Sequence, residues 1–189
     1  EIGRIRAFTK GWLEREANFL HMTYKYLLGI LKSGNYDLFF EEAKDNLVCN
    51  LDPLKYGRST LENSSFIATS NNPNPHLHGQ GFVSRLSGST AEMLSIYTVM
   101  FYGKKMFSLN DGKLQLQLKP ILSKDYFLDG KVSVTLFNQT VTYLNPTNKD
   151  TFELKPVSYR LKNKGLEDVF ITGEYLPEDA AKRVRNGEF

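Results

Sequence analysis

The segment GFVSRLSGSTAEML, residues 81–94, places small hydroxyl residues and a glycine just before a run with helical spacing. Unpaired amides and about half a positive charge make a helix N-terminus attractive to anions. Small side chains let an anion approach the backbone, and a guanidinium adds a permanent charge. The sequence therefore suggests an anion site, with the candidate residues Arg85, Ser87, Gly88, Ser89 and Thr90.

The same segment also fits a purely structural reading. Ser89 followed by Glu92 has the spacing of a capping box, in which the serine accepts an amide hydrogen bond and the glutamate reaches back. In that reading Ser89 only caps the helix and Arg85 lies on the surface. The residues alone leave both alternatives open.

Three other stretches carry side chains suited to ligands. Glu62 and Asn63 could bind sugar hydroxyls or hold a turn together, and Arg58 could anchor the loop or meet an anion. His78 is preferred over His76 as a binding histidine, although loop histidines are more often structural. No acidic or cysteine cluster accompanies this pair, so a metal site is not expected. The chain has one tryptophan, Trp12, which we expect to pack against other side chains rather than to stack against a sugar ring.

The composition limits the classes of protein to which this chain can belong. The 189 residues include 41% hydrophobic and 24% charged residues, as in ordinary globular domains. A net charge of +3 without a basic cluster argues against nucleic-acid binding. One cysteine excludes an internal disulfide and favours a reducing compartment, and no run reaches the length of a membrane span. With no visible signal peptide, we expect a cytoplasmic protein.

The first half of the chain reads as helices joined by a long loop. Apolar residues recur at spacings of three and four in residues 12–34, with Gly34 as the stop, and 36–47 reads as a second helix. Residues 49–89 lack strong periodicity but hold enough apolar residues to be an ordered, functional loop. A third helix is expected up to Gly103.

After Gly103 the period changes to two. Alternating residues in 110–120, 131–137, 139–146 and 168–175, separated by turn signals such as Asn110-Asp111-Gly112, predict an antiparallel β unit of six to eight strands. A β-sandwich is the expected arrangement. The tail, 176–189, is expected to form one helical turn or to fray.

The stretches YGRSTLENSSFIATS and LHGQGFVSRLSGSTAEML resemble the C-terminal part of glycoside-hydrolase family 94, the inverting disaccharide and oligosaccharide phosphorylases. Within that family they look most like the 1,2-β-oligoglucan phosphorylase branch, often labelled cellobiose-phosphorylase-like. The resemblance runs from about residue 11 to residue 103 and is weaker beyond it.

The resemblance implies an α+β chain in which 1–103 are the last helices and loops of an (α/α)6 barrel and 104–189 a C-terminal β-sandwich with its tail. It implies phosphate contact by the element Ser87-Gly88-Ser89 and by a histidine, for which His78 is the candidate. Arg85 and Thr90 remain phosphate candidates, and Arg58, Glu62 and Asn63 substrate candidates, from their residue types. The family's general acid is an aspartate that no residue here matches. We therefore expect a fragment that is inactive alone and is completed by the remainder of the parent chain, and a homodimer is compatible with the family.

Inverting hydrolysis needs an acid and a base, whereas phosphate is already an anionic nucleophile, which a second carboxylate would repel. The expected reaction thus needs one acid and an anion pocket. It consumes a β-linked gluco-oligosaccharide and inorganic phosphate, without metal or organic cofactor. Two alternatives stay open at this stage: a barrel glycosidase that uses water, and a non-catalytic carbohydrate-binding β-sandwich.

Overall fold

A computed structural model describes residues 3–83, 88–162 and 167–189. Within these ranges the chain is mixed α+β, with five α-helices and several small antiparallel sheets. It divides into two compact units, Glu1–Tyr97 and Thr98–Phe189. No helix in the described ranges is both long and apolar enough to cross a membrane.

The first unit is organised around a helix pair. Helix α1 (Leu20–Ser33) ends at Gly34, whose φ of +94° is the left-handed conformation that glycine adopts freely, as the sequence predicts. Helix α2 (Tyr36–Asn46) follows at once and buries Phe39 and Ala43. The apolar stripe of α1 is buried, as its spacing of three and four predicts: Leu20, Tyr24, Leu27, Leu28 and Leu31.

The start of α1 differs from the prediction. The periodic pattern begins at Trp12, but the helix begins at Leu20. Leu13 and Glu16 have φ of +50° and +60°, which no α-helix contains. The preceding Gly11 lies so close to the backbone of Asn72 that an added Cβ would be 2.4 Å from the Asn72 amide nitrogen. Residues 11–17 are therefore irregular where Gly11 packs against Asn72, a residue distant in sequence.

The long loop is ordered where it is described, and it contains short elements. Helix α3 (Pro53–Tyr56) is one turn, capped by Asp52, whose side chain accepts from the Leu54 amide at 2.9 Å. Strands β1 (Asn18–Phe19), β2 (Phe66–Ile67) and β3 (Gly81–Phe82) form a three-stranded antiparallel sheet in that order. The register places Phe19, Phe66 and Phe82 opposite one another on neighbouring strands.

Helix α4 (Gly88–Tyr102) ends at Gly103, which has φ of +89°, as predicted from the sequence. Its start differs from the capping-box prediction, because the helix begins at Gly88 and Ser89 lies inside its first turn. Glu92 faces His21 at 3.7 Å.

In the part of the chain described, the second unit contains the last turn of α4, three two-stranded antiparallel sheets and a helix near the C-terminus. The strands pair as β4 (Phe107–Asn110) with β5 (Lys113–Leu116), β6 (Lys131–Leu136) with β7 (Gln139–Leu144), and β8 (Ser158–Leu161) with β9 (Val169–Thr172). The six strands and their antiparallel pairing agree with the prediction, whereas their assembly into a β-sandwich stays a prediction.

The tail is more regular than predicted. Helix α5 (Glu178–Arg185) spans eight residues and buries Ala180, Ala181 and Val184. The Gln139 side chain donates to the Val184 carbonyl at 2.8 Å, which ties the helix to β7. The expectation of a single turn or a frayed end was wrong, since three buried residues hold this helix in place.

Candidate functional site

The segment 62–65 lies between the starts of α1 and α4. The Ser65 carbonyl accepts from the amide of Leu20, the first residue of α1, at 3.0 Å. The Ser64 carbonyl accepts from the hydroxyl of Ser89, in the first turn of α4, at 3.4 Å. Two helix N-termini therefore meet at one short segment, and their partial positive charges add.

Part of that charge is offset, because the Ser65 carbonyl accepts from the Leu20 amide and the Glu92 carboxylate lies near the start of α4. Neither α1 nor α4 has an acidic residue in its first turn, and the residue before α1, Phe19, provides no side-chain cap. An anion placed between the two helix starts would therefore meet two dipole ends of the same sign.

His21 connects the two helices directly. A Cβ added at Gly88 would lie 2.2 Å from Cε1, 2.3 Å from Nε2 and 2.4 Å from Cδ2 of His21, so the Nε2 edge of the imidazole rests on the Gly88 backbone. The glycine is required here because any side chain would displace the ring. Since α1 and α4 are far apart in sequence, no local pattern marks this contact, and the sequence reasoning missed His21.

Glu92 is the charged neighbour of His21. Its Oε1 lies 3.7 Å from Nε2 of His21, and the two side chains are only 19% and 28% exposed, respectively. The arrangement thus combines two dipole ends, one imidazole and one carboxylate.

Of the predicted phosphate residues, the structure places Gly88 and Ser89 at this point. Ser89 is fully buried and its hydroxyl points to Ser64, which gives that side chain a structural partner. Thr90 is in the same turn and is exposed. Arg85 and Ser87 lie outside the described residues.

Two buried tyrosines hold the predicted sugar-binding segment. The Tyr24 hydroxyl donates to Oδ1 of Asn63 at 2.9 Å and accepts from the Val48 amide at 3.1 Å. Burial raises the pKa of Tyr24 above its ordinary range, so the hydroxyl remains a donor. The Tyr56 hydroxyl donates to the Glu62 carbonyl at 2.8 Å and accepts from the Ser64 amide at 2.9 Å.

These bonds define what Asn63, Glu62 and Arg58 can do. The side-chain oxygen of Asn63 accepts the hydrogen bond from Tyr24. The Glu62 carboxylate, by contrast, is half exposed and lies 3.6 Å from Nη2 of Arg58. Nε of Arg58 is buried without a hydrogen-bond partner within the described ranges. Arg58 and Glu62 therefore retain more capacity to bind a ligand than Asn63 does.

The predicted histidine, His78, has a different partner. Its Nε2 lies 2.8 Å from the Asn72 carbonyl, a contact that fastens the loop 72–80, and His76 is exposed. Among the residues described, no group of three His, Cys, Asp or Glu side chains could hold a metal ion. The histidine that the structure brings to Gly88 is His21.

A row of aromatic rings leads to His21 across the small sheet. Trp12 stacks on Phe82 with centroids 3.7 Å apart and planes at 5°, which confirms its predicted role in packing. Phe66 continues the row to Phe19, and Phe19 meets His21 edge-on at 6.1 Å. Phe19, the residue before α1, therefore packs between Phe66 and the His21 ring.

Comparison with models of known protein families gave no match, and a search of curated proteins gave none either.

Proposed function

We propose that this chain forms the phosphate-binding part of an inverting β-glucan phosphorylase. The enzyme cleaves a β-glucosidic bond of a gluco-oligosaccharide with inorganic phosphate and releases glucose 1-phosphate and a shortened chain. Phosphate is a co-substrate, and no metal or organic cofactor takes part. The general acid comes from a part of the protein outside this sequence.

The observation that carries the proposal is the meeting of two helix N-termini at residues 64–65, with His21 resting on Gly88. Residues 64–65 and Gly88 fall within the two stretches that resemble the phosphorylase family, and His21 lies in the wider resemblance from about residue 11 to residue 103. A nucleophilic phosphate needs donors and positive charge around its oxygens, and helix amides with an imidazole N–H supply both.

The roles of individual residues follow from their positions. Gly88 has no side chain and so leaves room for the His21 ring, and His21 donates to the anion beside the start of α4. Arg58 and Glu62 belong to the sugar side of the site, and Asn63 holds the loop. Arg85, Ser87 and Thr90 remain proposed phosphate contacts.

The proposal includes a fold beyond the two units. Residues 1–103 are the last helices and loops of an (α/α)6 barrel whose other helices belong to the parent protein, and residues 104–189 form its C-terminal β-sandwich. The enzyme works in the cytoplasm, where inorganic phosphate and sugar phosphates are handled.

A second candidate, an inverting hydrolase, is favoured by one observation. The carboxylate of Glu92 lies at the site, and a carboxylate can act as the general base that activates water. The phosphorylase is preferred because Glu92 and the residues before it belong to a stretch that resembles the phosphorylase family.

The test is product release by the full-length protein that contains this sequence. A β-1,2-gluco-oligosaccharide is supplied with and without inorganic phosphate, and glucose 1-phosphate and free glucose are measured. Phosphate-dependent glucose 1-phosphate supports the proposal. Free glucose independent of phosphate identifies the hydrolase, and the absence of any product contradicts the proposed linkage.

A variant separates the phosphate role from folding. Replacing Ser87 alone by alanine should reduce phosphate use more than it reduces the stability of the protein, whereas Ser89→Ala removes the bond to the Ser64 carbonyl and should lower stability. Equal losses of phosphate use and stability in Ser87→Ala would show that Ser87 serves only the helix start.

A further inference from the structure

A pocket of about 250 Å³ lies within the second unit, where the 3₁₀ turn Lys124–Tyr126 meets the open end of the β6–β7 hairpin. It opens to solvent, because three residues of its wall are exposed. The residues that line it are Lys124, Phe127, Gly130, Asn145, Pro146 and Asn148. The proposed function assigns no role to any of them.

Hydrogen bonds fix the hairpin wall of this pocket. The Asn145 amide donates to the Gly130 carbonyl at 2.7 Å, which closes the end of the hairpin. The Asn145 side chain accepts from the Thr147 hydroxyl at 2.7 Å and donates to the Lys149 carbonyl at 2.8 Å, so it holds the turn that follows β7. Asn145 is buried, and both polar atoms of its side chain are engaged. This wall therefore needs no ligand in order to form.

The other wall is the turn that carries Lys124 and Phe127. The Asp150 carboxylate accepts from the Lys124 amide at 2.7 Å, and the Phe127 amide donates to the Lys124 carbonyl at 3.0 Å. The backbone of this turn is thus bonded internally. What it offers to a ligand is the side chains of Lys124 and Phe127.

Three side chains of the lining have binding capacity that the fold does not use. Among the described residues, neither the Lys124 ammonium nor the Asn148 side-chain amide has a hydrogen-bond or ion-pair partner. The half-buried Phe127 ring has no aromatic partner in the same ranges. The pocket therefore combines a cation that donates, an amide that donates and accepts, and an aromatic ring.

These residue types identify the class of ligand. Hydroxyl groups accept from an ammonium and exchange hydrogen bonds in both directions with an amide, whereas the rings of Phe127 and Pro146 need an apolar surface. A pyranose carries both, with hydroxyls around its rim and C–H groups on its faces. A small oxyanion fits less well, because it gains nothing from the two rings and meets the Asp150 carboxylate at the Lys124 turn.

We propose that this pocket binds one neutral pyranose residue of a saccharide. The sugar ring packs against Phe127, and its hydroxyls bond to the Asn148 amide and the Lys124 ammonium. Pockets for drug-sized ligands measure about 300–1,000 Å³, so a pocket of about 250 Å³ holds one sugar ring rather than a longer segment. The inference goes beyond the proposed function, since it depends neither on phosphate nor on cleavage.

The experiment titrates the protein with methyl β-glucoside, methyl β-galactoside, sorbitol and inorganic phosphate. NMR signals of the Asn148 side-chain amide and the Gly130 backbone amide report binding at the pocket. At least one pyranoside should shift both signals with a millimolar dissociation constant, as expected for so small a ligand. Sorbitol has the hydroxyls without a rigid ring face and should bind at least about tenfold more weakly. Phosphate should leave both signals in place.

Two substitutions assign the contacts. Phe127→Leu keeps an apolar side chain but removes the aromatic face, and it should weaken pyranoside binding about three- to tenfold. Asn148→Gly removes the amide and retains the left-handed backbone, since φ of Asn148 is +53°, and it should also weaken binding about three- to tenfold. The Gly130 signal measures both variants, and circular dichroism verifies that they are folded.

Asn138→Gly is the matched control for Asn148→Gly. Asn138 is likewise an exposed asparagine with a positive φ, +63°, but it lies in the turn at the other end of the β6–β7 hairpin. This variant should bind the pyranoside like the unchanged protein.

Several results would overturn the inference: signals that neither pyranoside moves, equal affinities for pyranosides and sorbitol, or equal effects of Asn148→Gly and Asn138→Gly. Shifts caused by phosphate and not by the pyranosides would make the pocket an anion site and would overturn it too. None of these measurements involves cleavage, so the proposed phosphorylase is judged separately by its products.

Discussion

Gly88 is the residue whose surroundings are most restrictive in the candidate site. The His21 ring occupies the space of a side chain, with three ring atoms within 2.4 Å of an added Cβ. Gly88→Ala must therefore push His21 off α4. We expect a loss of about 1–3 kcal/mol in the free energy of unfolding, measured by urea denaturation. Phosphate-induced shifts of the His21 ring signals should disappear.

Gly29→Ala is the matched control for that substitution. Gly29 lies in the interior of α1, and an added Cβ there meets nothing within 4 Å. Alanine should stabilise the protein by up to about 1 kcal/mol, because it favours the helix and restricts the unfolded chain. If Gly88→Ala behaved like Gly29→Ala, the contact between His21 and Gly88 would not exist in solution.

In the second unit, Tyr159 offers a test through pH. Burial raises the pKa of the Tyr159 hydroxyl to about 12, although a hydrogen bond from the Leu118 amide acts in the opposite direction. The neutral hydroxyl donates to the Glu174 carbonyl at 2.7 Å. The unfolded chain releases this proton near pH 10, so the stability that Tyr159 contributes is present below pH 10 and is lost as pH rises toward 12.

The expected slope follows from one proton. Relative to Tyr159→Phe, the unchanged protein should lose about 1.4 kcal/mol of unfolding free energy per pH unit between pH 10 and pH 12. Urea denaturation at several pH values measures both proteins, and the buried Tyr24 contributes equally to each. Parallel curves for the two proteins would show that Tyr159 titrates as an exposed tyrosine.

At the scale of elements, local signals were sufficient where the structure is local. The Asp111-Gly112 turn has φ of +49° and +76°, the conformation that the sequence Asn-Asp-Gly favours, and it joins β4 to β5 as predicted. Gly34 and Gly103 end their helices at the predicted places. These features depend on backbone preferences of a few adjacent residues.

Features that depend on distant contacts were missed. The start of α1 at Leu20 follows residues whose course is set beside Asn72, and the role of His21 depends on Gly88. His21 within its own helix looks like one polar residue in an apolar repeat. By contrast, α5 had a local signal: Glu178 and Lys182 are four residues apart and form an ion pair at 2.7 Å, above buried Ala180 and Ala181.

The packing of α5 can be tested with one charge. Ala181 is fully buried, so Ala181→Asp places an unpaired carboxylate in the core of the second unit. We expect a loss of about 3 kcal/mol or more in unfolding free energy. The same aspartate at exposed Arg185 should cost less than about 1 kcal/mol. Similar costs at both positions would mean that the helix does not pack through Ala181.

At the scale of the whole molecule, the boundary between the two compact units lies at a different residue from the change of hydrophobic period in the sequence. The texture changes after Gly103, whereas the compact units divide between Tyr97 and Thr98, inside α4. The last turn of α4 explains the difference. Its Met100 carbonyl accepts from the Ile121 amide at 2.6 Å, and its Phe101 carbonyl accepts from the Tyr143 hydroxyl at 2.5 Å. The change in the sequence pattern marks the end of α4, whereas the boundary between the compact units reflects these hydrogen bonds.

Each unit has its own fully buried side chains, including Leu27 and Phe39 in the first and Leu116 and Leu122 in the second. Separate cores predict separate unfolding transitions. The single tryptophan, Trp12, reports the first unit by fluorescence because it stacks on Phe82. Amide exchange in β6 and β7 reports the second.

Ala181→Asp should therefore accelerate amide exchange in β6 and β7 and leave the midpoint of the Trp12 fluorescence transition within about 0.3 M urea of its original value. The charge acts only on the core that contains it, and α4 can lose its last turn while its first turns stay on residues 64–65. A Trp12 transition that moved together with the exchange rates would mean that the two units unfold as one. The contact between His21 and Gly88 would then depend on the sheets of the second unit for its stability.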